Sequence, residues 1–324
     1  MSLLSVAQAA QALADGGLVA LPTETVYGLA ARADDDRAVA KIFATKGRPA
    51  DHPLIVHVAD AAAAQAFAAD WPALAQRLTA AFWPGPLTVI VPRRAGVAEG
   101  AAGGHATIGL RCPSHPGFAA VLTEAQRLGV PGLAAPSANR FGRVSPTTAQ
   151  HVLDEFGGAV PVLDGGACDV GIESTIVDCS RGHPVLLRPG TLSAAALAAA
   201  AGEALRAPDA QAPKAAGTLA AHYAPHARLR LFSPAGLAQA LAEAAARAPA
   251  GLAVYSRARW AHAAWRWVAM ADDPGLTARQ LFATLRRLDD EGVREIWVEA
   301  PPGDDPRWAG VLDRLQRAAA AHPS

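Results

Sequence analysis

Leu18-Val19-Ala20-Leu21-Pro22-Thr23-Glu24-Thr25-Val26-Tyr27-Gly28-Leu29 reads as a short apolar strand that runs into a polar turn. Upstream, Ser5 suits a helix N-cap, a helical run continues to Asp15, and Gly16 stops it. Downstream, Asp34, Asp35 and Asp36 supply helix-start carboxylates, and Val39, Ile42 and Phe43 recur at helical spacing. Gly47 offers the C-terminal stop of that helix, which leaves Lys46 and Arg48 at its end. Helix, strand and helix in this order open an α/β domain, and the alternation continues. Strands are expected at 54–58, 87–91, 107–110, 132–135, 160–163, 175–178 and 185–187. Helical stretches surround Trp71-Pro72, further helices fall near 118–128 and 147–156, and Trp83-Pro84-Gly85-Pro86 forms a turn. Residues 1–190 are therefore expected to form a mixed α/β domain.

From 191 to 227 the chain is Ala-rich and then carries Pro208, Pro213, Lys214 and Gly217 before His222-Tyr223-Ala224-Pro225, as a connecting segment would. Its Ala-rich part, 193–204, reads as a helix. Strand-like runs at 229–232, 251–255, 266–270 and 295–299 follow, separated by helical runs at 237–247 and 278–289. Residues 228–324 are thus expected to form a smaller parallel α/β domain. The 324 residues exceed what one core usually organises, which agrees with two domains.

Composition excludes several classes. With 51% apolar residues, 18% charged residues and a net charge of +0, the chain lacks the basic excess of a duplex-binding protein. Residues 1–21 contain no Lys or Arg and are broken by Gln8, Gln11, Asp15, Gly16 and Gly17, so they fit neither a secretion signal nor a membrane span. Cys112, Cys168 and Cys179 form no CxxC pair and leave an odd count, which points to a reducing compartment, the cytoplasm. No P-loop, dinucleotide fingerprint, HExxH or GxSxG motif stands in its required context, and no zinc-ligand spacing is present.

The chemistry-bearing residues gather at element ends. Lys46 offers a mobile point charge and Arg48 a forked, permanent one, a combination that suits a polyanion; the alternative is charge complementation of a helix C-terminus. Thr23, Glu24, Thr25 and Tyr27 read as ligand groups or as a polar capping loop. His52 and His57 flank a strand, and His57 is either a satisfied structural residue or a partner for a carboxylate ligand. Arg111 ends the strand Thr107-Ile108-Gly109-Leu110. Ser137-Ala138-Asn139 follows the next one, as an anion-binding turn or an ordinary Asx turn. Ser145-Pro146-Thr147 reads as a helix N-cap, while Glu173-Ser174-Thr175 and Arg188-Pro189-Gly190 lie at further strand ends.

Taken in order, PTETVYGL, KGRP with HPLIVHV, FWPGPLT, TIGLRCPSHP, APSAN, SPTT, LDGG, GIESTIVD and LLRPG resemble the YrdC/Sua5 family. The likeness covers about residues 5–190, and His222-Tyr223-Ala224-Pro225 with the trailing domain resembles its longer, two-domain Sua5 form. The resemblance implies a twisted mixed-sheet YrdC-like domain (1–190), a linker acting as a lid (191–227) and a Rossmann-like parallel α/β domain (228–324). It implies synthesis of threonylcarbamoyl-AMP from L-threonine, bicarbonate and ATP, with release of pyrophosphate, for the t6A modification of tRNA. Carried over residue by residue, Lys46, Arg48, Ser137 and Asn139 form the phosphate-handling catalytic set. His52, Thr107, Ser145, Arg188 and Tyr223 are further ATP contacts, with Tyr223 closing over the nucleotide. Thr25, His57, Arg111, Ala135 through its backbone, Ser174 and Thr175 are the threonine contacts. Mg²⁺ is expected with ATP, held chiefly by phosphates and waters, and no protein ligand for it is nominated. The product is expected to pass to the tRNA threonylcarbamoyl transfer machinery, with weak RNA contact retained as an expectation and no membrane partner. This sequence departs from the family pattern at His52, where Asn is usual, and at Ala215-Ala216-Gly217 and Ala221 in the linker.

Two other readings compete. One is an RNA-binding module, marked by salt-sensitive RNA affinity without ATP turnover. The other is a carbamoyl-adenylate-forming carbamoyltransferase, against which stands the absence of acylphosphatase and zinc-finger segments.

Overall fold

The computed structural model describes residues 3–245, 250–262 and 265–322. It divides into two compact units, Met1–Phe141 with Ser145–Thr218, and Gly142–Val144 with Leu219–Ser324. The boundary between Thr218 and Leu219 falls inside the segment read as a linker, whereas Gly142–Val144, expected in the first domain, groups with the second unit.

In the first unit, helix α1 (Val6–Ala14) is closed by a capping box. Ser5 Oγ accepts from Gln8 N–H at 3.3 Å, and the Gln8 side chain accepts from Ser5 N–H at 2.9 Å. Strands β1 (Val19–Leu21) and β2 (Gly28–Arg32) pair antiparallel with Leu21 opposite Gly28, so Pro22–Tyr27 is the loop of a hairpin. Helix α2 (Asp36–Lys46) takes Asp35 as its N-cap and ends on Gly47 at φ 63°, a left-handed position that glycine adopts without a Cβ penalty. Then follow β3 (Ile55–His57), α3 (Ala61–Ala64), α4 (Ala73–Phe82), β4 (Leu87–Pro92), β5 (Thr107–Arg111), α5 (Pro116–Arg127) and β6 (Leu133–Ala134). The unit continues through α6 (Ala149–Phe156), β7 (Thr175–Asp178), β8 (Val185–Arg188) and α7 (Ala194–Ala201).

The eight strands form one mixed sheet in the order β1-β2-β6-β3-β5-β4-β7-β8, with β3–β5 and β4–β7 parallel and the other pairs antiparallel. Alternation along the strands sorts the side chains. Val56, Leu110, Val89 and Val177 enter the main core with Ile42, Leu54, Leu74 and Leu78. The neighbouring Ile55, Ile90 and Ile176 turn to the other face. That second face carries the polar residues described below.

The expected strand 160–163 does not form. Val162 makes only isolated bridges to Leu3 and Ala20, and Pro161 has no N–H to give a ladder. Ser145 is not a helix cap either; Thr148 caps α6 by accepting from His151 N–H at 3.2 Å. Helix α7 lies within the expected linker, and its Leu197 is buried in the core of the first unit.

The second unit contains β9 (Arg228–Phe232), α8 (Pro234–Ala245), β10 (Leu252–Ser256), β11 (Trp265–Ala269), α9 (Pro274–Asp290), β12 (Glu295–Glu299), a 3₁₀ turn Pro306–Trp308 and α10 (Ala309–Ala320). Its four strands are all parallel, in the order β11-β10-β12-β9, as crossover helices require. Leu237, Leu241, Leu252, Val254 and Trp297 form one apolar cluster, and Leu281, Phe282, Leu285, Ile296 and Val298 are also buried in the unit. The last two positions of the expected helix 237–247 lie outside the described residues.

Candidate active site

The site begins at the hairpin loop. Thr23 Oγ1 accepts from the Thr25 and Val26 amides, each at 3.1 Å, and lies 2.8 Å from Thr25 Oγ1, so the loop is organised by its own hydroxyls. Tyr27 N–H donates to Pro146 O, and Ala138 N–H donates to Tyr27 O at 2.7 Å. Gly28 bridges to Ser137. The loop and the Ser137–Asn139 turn are thereby fixed against each other.

Lys46, the last residue of α2, is buried and extends Nζ to Ser137 O at 2.6 Å and to Asn139 O. Phe141 N–H donates back to Lys46 O at 2.8 Å. Burial, reinforced by the charge of Arg48, holds the Lys46 ammonium well below its ordinary pKa. Arg48 Nη2 donates to Pro53 O at 2.9 Å, and its guanidinium lies 5.9 Å from the Phe141 ring, against which His52 packs edge-on at 5.5 Å. Burial and Arg48 lower the His52 pKa. Lys46, Arg48, His52, Ser137 and Asn139 thus form one cluster.

A second cluster runs across the sheet. In register, His57 of β3 lies opposite Arg111 of β5, Arg111 opposite Thr88 of β4, Thr88 opposite Ile176 of β7, and Ile176 opposite Arg188 of β8. Directly opposed residues share a face, so this is a row of side chains. Arg188 Nε and Nη2 donate to Ser174 O at 3.0 and 2.8 Å, while Ser174 Oγ lies 2.8 Å from Thr88 Oγ1. Thr175 Oγ1 is buried and makes no hydrogen bond. A Cβ on Gly190 would stand 2.6 Å from both Thr175 N and Oγ1, so the glycine permits this turn to form. Ser145 Oγ hydrogen-bonds the Glu173 carboxylate in the same region. Ala135 donates its N–H to Ile55 O at 3.1 Å.

The segment after α7 reaches this face within the first unit. Arg188 Nη1 donates to Ala216 O at 2.9 Å, and Lys214 pairs with Asp51 at 3.0 Å. Lys214, Ala215 and Ala216 cover Ile55, Thr88, Thr107, Gly109 and Ile176, leaving only about 10 Å³ of free space beneath them. Tyr223 belongs to the second unit. It adopts φ 61° and is buried, stacked on Phe282 at 5.5 Å with Arg314 over its ring at 5.2 Å.

Two charged groups beside the sheet row, Glu24 and Glu173, are read in the sequence only as members of polar segments, with no substrate contact assigned. Glu24, from the hairpin loop, pairs with Arg111 Nη2 at 2.8 Å, and both side chains are at least nine-tenths buried. Burial alone would raise the Glu24 pKa, but the Arg111 guanidinium beside it outweighs this and holds the carboxyl below its ordinary value. Glu173 is the other, as the acceptor for Ser145. A buried arginine requires a counter-charge, and Glu24 is the acidic residue of the adjoining loop; that was the available signal.

His57 is buried against Phe118, with ring centroids 5.2 Å apart, and its Nδ1 makes no hydrogen bond. Burial and then the Arg111 charge lower its pKa to about 3. It is neutral near pH 7. The sign of the linkage follows: between about pH 3 and the ordinary value near 6.5, the unfolded chain binds a proton that the folded one refuses. Folding stability is expected to fall with decreasing pH across that window, by up to about 1.4 kcal/mol per pH unit from this residue. A His57→Asn variant should show a shallower dependence in acid unfolding, and the His57 imidazole NMR shifts of the wild type should stay flat from pH 5 to 8.

The thiols offer no nucleophile. Burial pushes Cys112 up to about 11 and Cys168 up to about 12, and raises Cys179 as well. Among the described residues no group of three or more His, Cys, Asp or Glu side chains is placed to hold a metal ion. The arrangement can grip anions with Lys46, Arg48, Arg111 and Arg188 and orient a small polar ligand with hydroxyls.

Comparisons with known proteins identify relatives of the chain. Residues 11–190 match the Sua5/YciO/YrdC family model, described as "Telomere recombination", and residues 191–320 match the model for the C-terminal domain of threonylcarbamoyl-AMP synthase. The chain is 36% identical over 322 residues to a Pyrococcus abyssi protein named threonylcarbamoyl-AMP synthase, covering 96% of this chain and 93% of that one. It is 33% identical over 349 residues to a Schizosaccharomyces pombe protein of the same name, covering 93% and 84%. Among solved structures, P. abyssi Sua5 in complex with L-threonine is similar at TM-score 0.88 and 34% identity, covering 98% and 94%.

Proposed function

The chain belongs to the Sua5/YrdC family, and from that premise we propose that it is a threonylcarbamoyl-AMP synthase, a nucleotidyltransferase serving the t6A modification of tRNA. The threonine amine combines with bicarbonate to give a carbamate and water. A carbamate oxygen then attacks the α-phosphorus of ATP, the bond from that phosphorus to the bridging oxygen breaks, and pyrophosphate leaves. No covalent enzyme intermediate is required, so the protein contributes alignment and charge neutralisation.

The observation that carries the amino-acid half is the sheet row. Buried Arg111 supplies a forked cation for an α-carboxylate, and the buried His57 Nδ1 and Thr175 Oγ1, without protein partners, call for a polar guest. Thr25, Ser174 and the Ala135 backbone complete that subsite. For the nucleotide, Lys46, Arg48, Ser137 and Asn139 are assigned to the phosphates, with His52, Thr107, Ser145, Arg188 and Tyr223 as the further contacts that the family resemblance implies. Mg²⁺ arrives with the triphosphate and neutralises part of its charge. The cover formed by Lys214–Ala216 has to lift for substrates to enter, and the Lys214–Asp51 pair, 60% exposed on both sides, holds it only weakly. The adenylate passes to a tRNA threonylcarbamoyl transferase system in the cytoplasm, the compartment that suits three unpaired cysteines.

Incubation with ATP, Mg²⁺, bicarbonate and L-threonine, followed for pyrophosphate and for the adenylate by mass spectrometry, tests the reading. Turnover that ignores threonine removes the substrate assignment. Arg48→Ala is expected to keep the fold, since the side chain lies at a half-buried helix end, and to lower ATP-dependent turnover by roughly 10- to 100-fold. Undiminished turnover would remove Arg48 from the nucleotide site.

A further inference from the structure

We propose that Glu24 is a positioning residue for threonine: its buried ion pair with Arg111 holds the guanidinium where its remaining donors meet the substrate carboxylate. This rests on the assignment of Arg111 to the threonine subsite. A guanidinium carries five N–H donors in a fixed plane. On Arg111, Nε donates to Gly85 O at 3.3 Å and Nη2 forms an ion pair with Glu24 Oε1 at 2.8 Å, so two fixed acceptors hold the guanidinium. Buried Nη2 makes no hydrogen bond to the protein despite that ion pair, which leaves guanidinium donors for a substrate carboxylate.

Glu24 is itself held. Its carbonyl accepts from Val170 N–H at 2.8 Å, and its neighbours in the loop are fixed by the Thr23 hydroxyl. Gly85 is equally fixed, since its N–H donates to Cys112 O at 2.8 Å. Arg111 is thus oriented by two rigid acceptors on segments remote in sequence. Buried beside neutral His57, the Glu24–Arg111 pair carries no net charge, so the subsite favours a ligand that brings an amino group with its carboxylate over a plain anion. Threonine does so.

The test compares wild type, Glu24→Gln and Glu24→Asp by calorimetry with L-threonine and, separately, with ATP, and by steady-state turnover. In Glu24→Gln the threonine Kd and KM are expected to rise about tenfold or more, because the neutral amide no longer holds the guanidinium by charge. Turnover at saturating threonine and the Kd for ATP should change less than about twofold. Glu24→Asp, which keeps the charge on a shorter arm, should fall between the two. Threonine binding by Glu24→Gln equal to wild type overturns the proposal, as does an equal loss of threonine and ATP binding, which would mark a purely structural role. A wild-type chain that binds ATP but no L-threonine overturns the substrate reading and this proposal together.

Discussion

Arg111→Met is expected to be the most destabilising single substitution in the site, weakening the first unit by about 3–5 kcal/mol. The size follows from what is left behind. Methionine fills much of the volume, but the Glu24 carboxylate stays nine-tenths buried with its counter-charge gone, and Gly85 O loses its Nε–H donor. Removing one member of a buried pair costs far more than the pair itself contributes, because the remaining charge is stranded. Hydrogen exchange at the amides of β3, β4 and β5 reads the local opening free energy directly and avoids treating two units as one transition. Adding Glu24→Gln to Arg111→Met should recover most of the loss, since it neutralises the stranded charge, while neither protein should bind threonine. A loss below about 1 kcal/mol, or no recovery in the double variant, would mean that the carboxylate finds water.

The elements most legible in the sequence are those in which local chemistry and tertiary packing agree. Ser5 with Gln8, Asp35 and Gly47 mark helix ends by hydrogen bonds that need only near neighbours, and all three act as caps. Strand β2 was hidden, because four of its five residues, Gly28 to Ala31, are buried and show no alternation. Helix α10 was hidden for the opposite reason. Its buried stripe of Val311, Arg314, Leu315 and Ala318 includes an arginine, which breaks the apolar period but serves the fold by lying over the Tyr223 ring. The apolar run at 160–163 suggested a strand, yet a strand needs N–H donors and a free neighbour, and Pro161 denies one of them.

The site divides in the same way. Family motifs nominated residue types at element ends, and the register of β3, β5, β4, β7 and β8 aligns His57, Arg111 and Arg188 in one row. No local pattern could disclose that Glu24 lies against Arg111, because the contact joins segments nearly ninety residues apart, roughly a quarter of the chain. Nor could it show that Arg188 reaches Ala216. Contacts of this kind tie the loop and the covering segment to the sheet.

Lys46→Met is expected to lower adenylate formation by about 10²- to 10³-fold, the usual loss when one preorganised donor is removed from a developing negative charge. Lys46 differs from a surface lysine in two respects that make the loss large. Its Nζ already spans Ser137 O and Asn139 O, so it shapes the turn proposed for the phosphates as well as supplying a cation. Its ammonium is also disfavoured by burial and by Arg48 until a polyanion arrives. Binding of the triphosphate should therefore raise the Lys46 pKa and draw in a proton, and ATP affinity should weaken as pH rises. Calorimetry in two buffers of different ionisation enthalpy measures that uptake; it should be present in the wild type and absent in Lys46→Met. A structural role alone would lower the stability of both variant and complex but leave the buffer dependence intact. Equal proton uptake by wild type and variant would move the phosphate-linked charge away from Lys46, leaving Arg48 and Arg188, which stay protonated throughout, as the fixed cations of the nucleotide site.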